Sequence, residues 1–331
     1  MSGRKILITG GAGFIGFHLV QQLVQDAADE ITIVDDFSRG RLDPELEQLT
    51  ARKGVVVKSG DLTEQETWRM LGGGYDEIYH LAAVVGVRNV RTRPDHVIRV
   101  NALSTLHFLD WFIDGGGEKA LFSSTSEVYA WTHRAYGLPV PTPEDCPCCI
   151  TDFADPRSTY AGTKIFGELA VTHYCRSHGR RFVIVRYHNV YGPRMGMDHV
   201  IPELFKRARD GQDPLVVYSV DHQRAFCYVS DAVAATIAAM REPKADAETI
   251  NIGNDREEIR IGDLAKRLVH LAGLHVDLAP QPAPHDPVER RSPDLRRARE
   301  VLGYEPRVGL DEGLEKTLGW YEKELSRAAV P

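Results

Sequence analysis

The chain has 331 residues, of which 43% are hydrophobic and 26% are charged, and these proportions exclude disordered and fibrous classes of protein. Its 40 basic and 47 acidic residues give a formal net charge of −7. That charge argues against a general nucleic-acid or membrane-surface binder, since both depend on a broad positive field. Any anionic ligand must therefore meet local arginines. The length exceeds what one compact core usually absorbs, so we expect a large domain and a smaller one.

No apolar run approaches the ~18 residues of a membrane span, and the first strand-like segment begins at Arg4, which leaves no room for a signal peptide. We therefore expect a cytoplasmic protein. The five cysteines, an odd number, fit reduced thiols better than a disulfide framework. Cys146, Cys148 and Cys149 stand together in a Pro-rich loop. A zinc site would need a fourth ligand and usually a CxxC spacing, so we expect no metal.

Short apolar runs alternate with amphipathic stretches through the first half of the chain. The predicted strands are residues 6–8, 31–34, 55–57, 78–81, 120–123 and 182–185. The predicted helices include residues 14–25, 96–112 and 159–177. Strands that are apolar throughout and separated by helices indicate a parallel sheet covered on both faces. The predicted fold class is α/β, with a doubly wound parallel Rossmann sheet.

The pattern changes near Tyr191, where prolines begin to interrupt shorter elements, and a Pro-rich stretch at 280–293 precedes a last predicted helix at 310–325. We therefore expect residues 1–190 to form the Rossmann domain, with a later return segment near 215–245. Residues 191–331 are expected to form a smaller C-terminal α/β lobe. Clefts between lobes are common binding sites, so we expect the substrate to bind between these two parts.

The turn after the first predicted strand is rich in glycine and leads into a helix. Gly10, Gly13 and Gly16 lie there, and such glycines let a pyrophosphate approach backbone N–H groups at the positive end of the helix dipole. Asp35 ends the second predicted strand 19 residues after Gly16, close to the spacing of the acid that binds the adenosine ribose. A carboxylate there repels a 2′-phosphate, so we predict NAD rather than NADP.

Other residues at the same predicted edge complete the cofactor site. Asp36 is a second candidate for binding the ribose. Asp61 follows the third predicted strand, so it is either near the adenine or a plain turn residue, and the two interpretations are almost equally supported. The predicted cofactor contacts are Gly10, Gly13, Phe14, Ile15, Gly16, Asp35, Asp36, Asp61, Leu62, Leu81, Ala82, Ala83, Tyr160 and Lys164.

Three motifs together resemble the extended short-chain dehydrogenase/reductase family. They are Gly10-x-x-Gly13-x-x-Gly16, the His-Leu-Ala-Ala of residues 80–83, and Tyr160-Ala-Gly-Thr-Lys164. Residues 186–193 and 291–294 are similar to motifs of the nucleotide-sugar branch of that family. The resemblance implies a tightly bound NAD, a nucleoside diphosphate sugar such as a UDP-sugar as substrate, and a homodimer formed through the helix that carries Tyr160.

Tyr160 and Lys164 are spaced i, i+4 on a predicted helix, so their side chains share one face. A free phenol with a pKa of about 10 is a poor base at neutral pH. A nearby ammonium and the positive nicotinamide favour the phenolate and bring that pKa closer to the working pH. We therefore expect Tyr160 to take the proton of a sugar hydroxyl during oxidation. An ordinary surface pair is the alternative interpretation.

The segment Thr125-Ser126-Glu127 follows the fifth predicted strand. By the resemblance, Thr125 matches the family's catalytic Ser/Thr, which hydrogen-bonds the reacting hydroxyl. The 4,6-dehydratases carry Asp-Glu where this chain has Ser126-Glu127, and sugar 4-epimerases usually carry a small or hydroxyl residue in place of Glu127. Thr-Ser-Glu-Val-Tyr is instead similar to the stretch in UDP-glucuronate decarboxylases, in which the arginine matching Arg291 has a catalytic role. A solvated salt bridge is the alternative interpretation of Glu127.

The predicted substrate ligands are mostly cations, because guanidinium groups bind phosphate and carboxylate bidentately. By the resemblance, these ligands are Arg88, Ser126, Asn189, Arg194, Arg224 and Arg291. The Gly-Val-Arg of residues 86–88 is closer to uronate 4-epimerases than to decarboxylases. Both resemblances imply an acidic sugar, and Arg88 is a candidate ligand for its carboxylate.

These observations predict NAD-dependent decarboxylation of UDP-glucuronate through a 4-keto intermediate, giving UDP-4-ketoxylose or UDP-xylose. Oxidation at C4 turns the C6 carboxylate into a β-keto acid, whose carbon dioxide can leave because the electrons delocalise into an enolate. An ionised Glu127 near that carboxylate would favour its loss by like-charge repulsion. A uronate 4-epimerase, a nucleotide-sugar dehydratase and a non-catalytic nucleotide-sugar sensor are the alternatives.

Overall fold

A computed structural model describes residues 3–25, 30–282 and 288–328. Within them the strands are β1 (Lys5–Thr9), β2 (Glu30–Asp35), β3 (Val55–Ser59), β4 (Tyr75–His80), β5 (Gly117–Thr125), β6 (Arg181–Tyr187), β7 (Val190–Tyr191), β8 (Leu215–Tyr218), β9 (Gln223–Ala225), β10 (Cys227–Tyr228), β11 (Thr249–Ile252), β12 (Glu258–Arg260), β13 (Leu278–Gln281) and β14 (Arg290–Arg291). The α-helices are α1 (Phe14–Leu23), α2 (Pro44–Thr50), α3 (Gln65–Arg69), α4 (Val87–Thr92), α5 (Pro94–Trp111), α6 (Ala130–Tyr136), α7 (Ser158–Ser177), α8 (Val200–Arg209), α9 (Val229–Arg241), α10 (Ile261–Leu271), α11 (Arg296–Leu302) and α12 (Leu310–Ala328).

Seven parallel strands form the large sheet, in the order β3-β2-β1-β4-β5-β6-β11. Successive residues of β1 face opposite sides: Ile6 and Ile8 join the core on the side of α1 and α9, whereas Leu7 joins the core on the side of α5 and α7. Burial on both faces is the reason that the central residues of β1 are apolar without alternation. The predicted doubly wound α/β fold is confirmed.

The strand order reverses between β1 and β4. In open α/β sheets, ligands bind outside the carboxyl ends of the strands at such a reversal. The glycine-rich turn after β1 and the loop after β4 both lie at this point. The fold therefore places the predicted cofactor residues at the edge where a nucleotide binds.

The chain returns to the large sheet later than expected. Within the expected segment 215–245, α9 contacts β5 and β6, but β8 pairs with β13 in a small separate sheet. The returning strand is β11, which pairs with β6, because α9 is the crossover helix that leads into it. Residues 283–287 of the Pro-rich stretch and residues 329–331 lie outside the described residues. The division of the chain at residue 190 stays a prediction.

The remaining strands form small sheets outside the large one, and β14 lies near its carboxyl edge, where Arg291 pairs with Glu127. They pair as β12-β9-β14, β13-β8 and β10-β7. Thr142, in the loop before α7, bridges to Pro293 after β14, so the C-terminal part of the chain closes over that edge. Across the three described ranges, no helix is long and apolar enough to cross a membrane.

Candidate active site

The glycine-rich turn lets three parts of the backbone meet closely. Gly10 has a φ of +70°, a region that favours glycine, and a Cβ built on it would lie 2.9 Å from the Cα of Ala82. A Cβ on Gly16 would overlap the carbonyl oxygen of Gly10 and would lie 2.7 Å from the Cα of Gly11. Side chains at Gly10 and Gly16 are therefore excluded by the contacts among β1, α1 and the loop after β4.

The N-terminus of α1 is open to an anionic ligand. Gly13 is the N-cap residue, no side chain caps the helix, and its first turn, which begins with the half-buried Phe14 and Ile15, contains no acidic residue. Among the described residues, a Cβ on Gly13 would meet just the Gly10 carbonyl oxygen, at 3.1 Å. Unpaired N–H groups at a helix N-terminus bind phosphate, so this cradle fits the pyrophosphate of NAD.

Asp35 is the buried acid at the end of β2. One carboxylate oxygen accepts the backbone N–H of Ala12 at 3.0 Å, and the other accepts the N–H of Phe37 at 2.9 Å. Burial raises the pKa of this carboxyl and the two N–H donors act against that rise. Asp35 thus holds the glycine-rich turn against the end of β2, beside the position that the fold gives to the adenosine ribose.

Asp36 and Asp61 are engaged in local turns. Asp36 accepts the backbone N–H of Ser38 at 2.9 Å and its hydroxyl at 2.7 Å. Asp61 accepts the backbone N–H of Thr63 at 2.8 Å, and Leu62 beside it is buried. The hydrogen bond of Asp61 to Thr63 matches its interpretation as a plain turn residue. Both aspartates lie at the carboxyl edge of the sheet.

The loop after β4 is tied to the end of β1. The backbone N–H of Leu81 donates to the carbonyl oxygen of Thr9 at 3.2 Å, and that of Ala82 donates to its side-chain oxygen at 3.3 Å. Leu81, Ala82 and Ala83 are all half-buried. These contacts set the backbone of this loop against the glycine-rich turn, where the three residues were predicted to meet the cofactor.

Sequence reasoning missed Asn101, a buried amide on α5. Its Oδ1 accepts the backbone N–H of Val84 at 2.7 Å, and its Nδ2 donates to the Val84 carbonyl at 3.1 Å and to the Thr163 hydroxyl at 3.3 Å. Asn101 thus joins the loop after β4 to the helix that carries Tyr160. The available signal was a short amide side chain in the middle of an otherwise amphipathic helix.

Tyr160 and Lys164 share one face of α7, which contacts β5. Lys164 is buried, and its Nζ donates to the carbonyl oxygen of Ser123 at 2.7 Å. Burial lowers the pKa of Lys164 to about 8. The half-buried Tyr160 is hydrogen-bonded to the side chain of Thr125, at the end of β5. The structure therefore brings Thr125, Tyr160 and Lys164 together.

In the protein alone, the ionisation of Tyr160 is determined mainly by burial. Burial is the main cause that raises the pKa of Tyr160 to about 12. The charge of Glu127 contributes to that rise, whereas the hydrogen bond with Thr125 and the charge of Arg39 act against it. The Lys164 ammonium donates to the carbonyl oxygen of Ser123, and the expected effect of the nicotinamide charge on Tyr160 stays a prediction. A further positive charge beside the phenol is needed to bring its pKa toward neutrality.

Glu127 lies in a short turn after β5. Its backbone N–H donates to the Thr125 side-chain oxygen at 3.2 Å, and its carboxylate pairs with Arg291 and lies 3.8 Å from Arg157. The ion pair with Arg291 partly balances the charge of Glu127, and the expected repulsion between Glu127 and a substrate carboxylate stays a prediction. Glu127 is thus in a salt bridge, as the alternative interpretation expects, but the pair is partly shielded from water, because the Glu127 side chain is 31% exposed and that of Arg291 is 11% exposed.

Arg291 and Arg224 are direct partners on the neighbouring strands β14 and β9. Arg224 is buried, and its guanidinium donates to the carbonyl oxygens of Gln223 at 2.8 Å, Val288 at 2.8 Å and Glu289 at 3.2 Å. These three bonds occupy much of the donor capacity that was expected to bind a diphosphate. Arg224 still places its positive charge next to Arg291.

Arg194 differs from the expected substrate ligand. Its Nη1 lies 2.7 Å from Asp43 and 2.9 Å from Glu45, and its guanidinium lies 3.9 Å from the ring centre of Phe17. Arg194 would have to leave two carboxylates and a ring to bind a phosphate. The physical reason is that α2 begins with acidic residues directly beside α1.

The last predicted substrate residues are distributed over the same edge. The half-buried Asn189 donates from Nδ2 to the Ala225 carbonyl at 3.2 Å. Arg88 is exposed on α4. Ser126 is buried and lines a cavity with Arg291. Among the predicted substrate residues, Ser126 and Arg291 therefore line the same cavity.

That cavity contains two histidines that sequence reasoning did not assign. It lies between the turn after β5, α6 and β14, and its lining includes Ser126, Ala130, His133, His188, Arg291 and Ser292. Burial lowers the pKa of His133, and the charges of Arg291 and Arg224 act in the same direction. The available signal for His188 was its place beside Asn189 within the motif of residues 186–193.

The cysteine-rich loop packs beside α6. The Sγ of Cys149 lies 3.1 Å from the Thr132 hydroxyl, and all five cysteines are free thiols. Burial raises the pKa of Cys148 to about 11, so its thiolate is scarce at neutral pH. Over the described ranges, no three His, Cys, Asp or Glu side chains are grouped for a metal ion. The expectation of a metal-free loop stays a prediction.

Residues 6–253 match the NAD dependent epimerase/dehydratase family. The chain is 34% identical over 330 residues to a UDP-N-acetyl-alpha-D-glucosaminuronate decarboxylase of Bacillus cytotoxicus, covering 97% of this chain and 98% of the relative. It is 33% identical to UDP-glucuronic acid decarboxylase 1 of Xenopus tropicalis, covering 98% of this chain and 74% of the relative.

Among solved structures, a UDP-glucuronic acid 4-epimerase from Bacillus cereus in complex with UDP-glucuronic acid and NAD is similar, with a TM-score of 0.84. It is 27% identical, and the match covers 97% of this chain and 99% of that chain. The family model covers the glycine-rich turn and the Tyr160 helix, since both lie within residues 6–253. The chain therefore belongs to the NAD-dependent epimerase/dehydratase family.

Proposed function

We propose that this chain is an NAD-dependent decarboxylase of UDP-glucuronate that acts through a 4-keto intermediate and gives UDP-4-ketoxylose or UDP-xylose. The observation that carries the proposal is the Arg291–Glu127 ion pair, which stands next to the hydrogen-bonded Thr125 and Tyr160. The two decarboxylases of acidic UDP-sugars that resemble the chain, at 34% and 33% identity, support the same reaction.

The cofactor cradle determines which residues would hold NAD. The N–H groups at the start of α1 would bind the pyrophosphate at Gly13, and Asp35 would meet the adenosine ribose. A carboxylate there disfavours a 2′-phosphate, so the site would prefer NAD to NADP. When bound, NAD supplies the hydride acceptor for C4 of the sugar and, in a complete cycle, the hydride that returns.

Proton transfer at the C4 hydroxyl is assigned to Tyr160. Its phenol is hydrogen-bonded to Thr125, so the two side chains can hold one sugar hydroxyl between them and relay its proton. Because burial raises the pKa of Tyr160 to about 12, the phenol is protonated until a positive charge stands beside it. Tyr160 therefore becomes a base only when the oxidised cofactor is in place.

The loss of carbon dioxide is assigned to the cavity that holds Arg291. Oxidation at C4 makes the C6 carboxylate a β-keto acid, and the electrons of the broken bond move onto the C4 oxygen. The hydroxyl of Thr125 and the phenol of Tyr160, which has by then taken a proton, stabilise that oxygen by donating hydrogen bonds. Arg291 provides the charge that holds the carboxylate in the ground state, and Glu127 orients Arg291.

Two alternative reactions follow from the same oxidation. A dehydratase needs an acid for the leaving C6 hydroxyl, and Ser126 has a hydroxyl where those enzymes carry aspartate, so dehydration is disfavoured. A uronate 4-epimerase is the stronger alternative, because the Bacillus cereus 4-epimerase superposes over nearly the whole chain. A non-catalytic sensor is disfavoured because such a protein needs no buried lysine beside a tyrosine.

One assay separates these reactions. Protein with NAD is incubated with UDP-glucuronate, and carbon dioxide and the nucleotide sugars are followed by mass spectrometry. Release of carbon dioxide with formation of a UDP-pentose is the expected result. An unchanged mass with inversion at C4 would establish the epimerase instead. UDP-N-acetylglucosaminuronate is the second substrate to test, and Tyr160→Phe is the inactive control.

We also propose a cytoplasmic homodimer formed through α5 and α7. These helices contact each other, and Ile98, Phe166 and Leu169 on them are exposed apolar side chains. The free thiols fit a reducing compartment. Light scattering should give twice the chain mass, and Leu169→Glu should halve it. A wild-type mass of 37.0 kDa, that of one chain, would refute the dimer.

A further inference from the structure

His188 lies between β6 and β7 and lines the cavity together with Ser126 and Arg291. The residue is 2% exposed. Its Nε2 lies 3.1 Å from Oδ1 of Asn251, whereas its Nδ1 has no hydrogen-bond partner within the described residues. Buried polar atoms almost always have a partner, so this nitrogen needs an explanation.

The hydrogen bonds of Asn251 determine which ring nitrogen of His188 carries the hydrogen. The Nδ2 of Asn251 donates to the carbonyl oxygens of Thr142 at 3.0 Å and Asp294 at 3.3 Å, which fixes the orientation of the amide. Its Oδ1 is therefore an acceptor, and it accepts the Tyr129 hydroxyl at 3.0 Å. The Nε2 of His188 must donate to the same oxygen, which leaves a lone pair on Nδ1.

The imidazole is neutral under ordinary conditions. Burial is the main cause that lowers the pKa of His188 to about 4, and the charges of Arg186 and Arg291 act in the same direction, against the bond with Asn251. At neutral pH the Nδ1 atom is therefore an acceptor and cannot donate. An acceptor without a partner is unfavourable in a buried site until a donor reaches it.

A buried network holds the ring in place. Arg186 pairs bidentately with Glu168 of α7, at 2.9 and 2.6 Å, and donates to the Tyr129 hydroxyl at 2.7 Å. Tyr129 and His188 both bond to the Asn251 amide oxygen. The network thus joins the helix that carries Tyr160 to His188, so the ring cannot turn away without breaking it.

We propose that His188 is a specificity-determining residue whose Nδ1 accepts a hydrogen bond from a donor on the sugar, either a ring hydroxyl or an acetamido N–H. The inference rests on the proposed action on UDP-sugars. A carboxylate has no donor and is repelled by the lone pair, so the uronate carboxylate lies toward Arg291. His188 then recognises an edge of the sugar that carries a donor, beside Ser126.

Two substitutions separate the two nitrogens of the ring. His188→Gln keeps a donor for Asn251 near the position of Nε2 and removes the acceptor at Nδ1. His188→Asn keeps a carbonyl oxygen near Nδ1 and removes the donor to Asn251. A structural role and a role in sugar recognition therefore predict opposite orders of effect. The measurement is calorimetric binding of nucleotide sugars to the proteins loaded with NADH, which cannot accept a hydride from the sugar. The sugars are UDP-glucuronate, its 2-deoxy and 3-deoxy analogues, and UDP-N-acetylglucosaminuronate.

We expect His188→Gln to weaken binding about tenfold to hundredfold, because one buried acceptor is lost, and His188→Asn to weaken it much less. A deoxy analogue that lacks the bound hydroxyl should bind wild type and His188→Gln equally. If the donor is an amide, the loss in His188→Gln is confined to UDP-N-acetylglucosaminuronate. Circular dichroism and retained NADH control for folding.

The proposal is overturned if His188→Asn binds more weakly than His188→Gln, since that order indicates support of Asn251 alone. It is also overturned if wild type binds both deoxy analogues and both uronates with the same affinity, a result that requires no variant to fold. Because the readout is binding, a protein that binds the sugar but releases no carbon dioxide would refute the proposed reaction and leave the role of His188 intact.

Discussion

Arg291 on β14 forms an ion pair with Glu127, which follows β5 of the large sheet, so a charge pair joins the C-terminal part of the chain to the end of a Rossmann strand. The Glu127 side chain is 31% exposed and the Arg291 side chain 11%. A pair so placed is accessible to a ligand in the cavity yet partly shielded from water, which makes its interaction with a bound carboxylate stronger than on an open surface.

Glu127→Gln should slow the step after oxidation more than oxidation itself. The amide cannot balance the charge of Arg291, which then holds the substrate carboxylate too strongly in the ground state and opposes its loss. We expect bound NADH to accumulate in a single turnover and carbon dioxide release to fall by about tenfold to hundredfold.

The matched control for this substitution is Glu312→Gln, which removes a carboxylate that pairs with Lys316 on the exposed face of α12. Exposed pairs contribute little to stability, so activity should be unchanged. If Glu127→Gln slowed oxidation and decarboxylation equally, Glu127 would have a structural role.

Tyr160→Phe should abolish formation of the ketosugar while NAD remains bound. The phenol is the group assigned to the C4 proton, and loss of a general base lowers rates by about 10²–10⁴-fold. The measurement is NADH absorbance and nucleotide-sugar mass in a single turnover. Tyr174→Phe, on the same helix, is the control that should keep its rate. Unchanged turnover in Tyr160→Phe would remove this residue from the mechanism.

The pKa of Tyr160 should depend on the redox state of the cofactor. Burial raises it to about 12 in the protein alone. A positive nicotinamide favours the phenolate and lowers the pKa, whereas neutral NADH does not. Ultraviolet difference titration of wild type against Tyr160→Phe should show the phenolate at lower pH with NAD than with NADH. Identical titration curves in the two redox states would contradict the proposed coupling.

The residues that the sequence predicts best are those whose chemistry depends on local spacing. Strands covered on both faces must be apolar throughout, so the six predicted strands coincide with observed ones. Tyr160 and Lys164 share a face because i, i+4 spacing on a helix requires it. Gly16 could be identified as part of the cofactor turn because the glycines that contact each other lie close together in the sequence.

The residues that the sequence did not reveal act through contacts between distant segments. Asn101 bonds to Val84 and Thr163, and no spacing in the sequence relates these positions. Arg194 follows a motif that resembles a substrate-binding one, yet it pairs with Asp43 because α2 packs there. The pKa of Tyr160 depends on burial, which a helical pattern does not give.

Two glycine substitutions should separate stability from cofactor binding. Gly13 has φ −75° and ψ 178°, which alanine adopts freely, but its Cβ would lie 3.1 Å from the Gly10 carbonyl oxygen, within the turn proposed to hold the pyrophosphate. We expect Gly13→Ala to weaken NAD binding by more than about tenfold, with little change in the free energy of unfolding.

Gly16→Ala is the counterpart, because its Cβ would lie 2.7 Å from the Gly11 Cα inside packed backbone. We expect it to destabilise the fold by about 1–3 kcal/mol or more, since overpacking forces the backbone to shift. Urea unfolding and NAD titration of both variants provide the measurement. Equal loss of NAD affinity in a fully stable Gly16→Ala would contradict the packing of this turn.

Acid should destabilise the protein through two buried histidines. Burial lowers the pKa of His80 to about 3 and that of His188 to about 4, from 6.5. Both are neutral in the folded state, so the unfolded chain binds more protons below pH 6.5, and the free energy of unfolding falls as the pH decreases.

The fall should be about 1.4 kcal/mol per pH unit for each histidine, from about pH 6.5 down to about 4. His80 stacks on Phe108 with ring centres 4.6 Å apart and bonds to the Thr9 hydroxyl at 3.0 Å, so His80→Phe keeps the packing and removes one titrating group. Urea unfolding should show a shallower loss of stability with acid in that variant and parallel behaviour above pH 7. If the free energy of unfolding fell equally steeply with pH in both proteins, His80 would not be a group that resists protonation in the folded state.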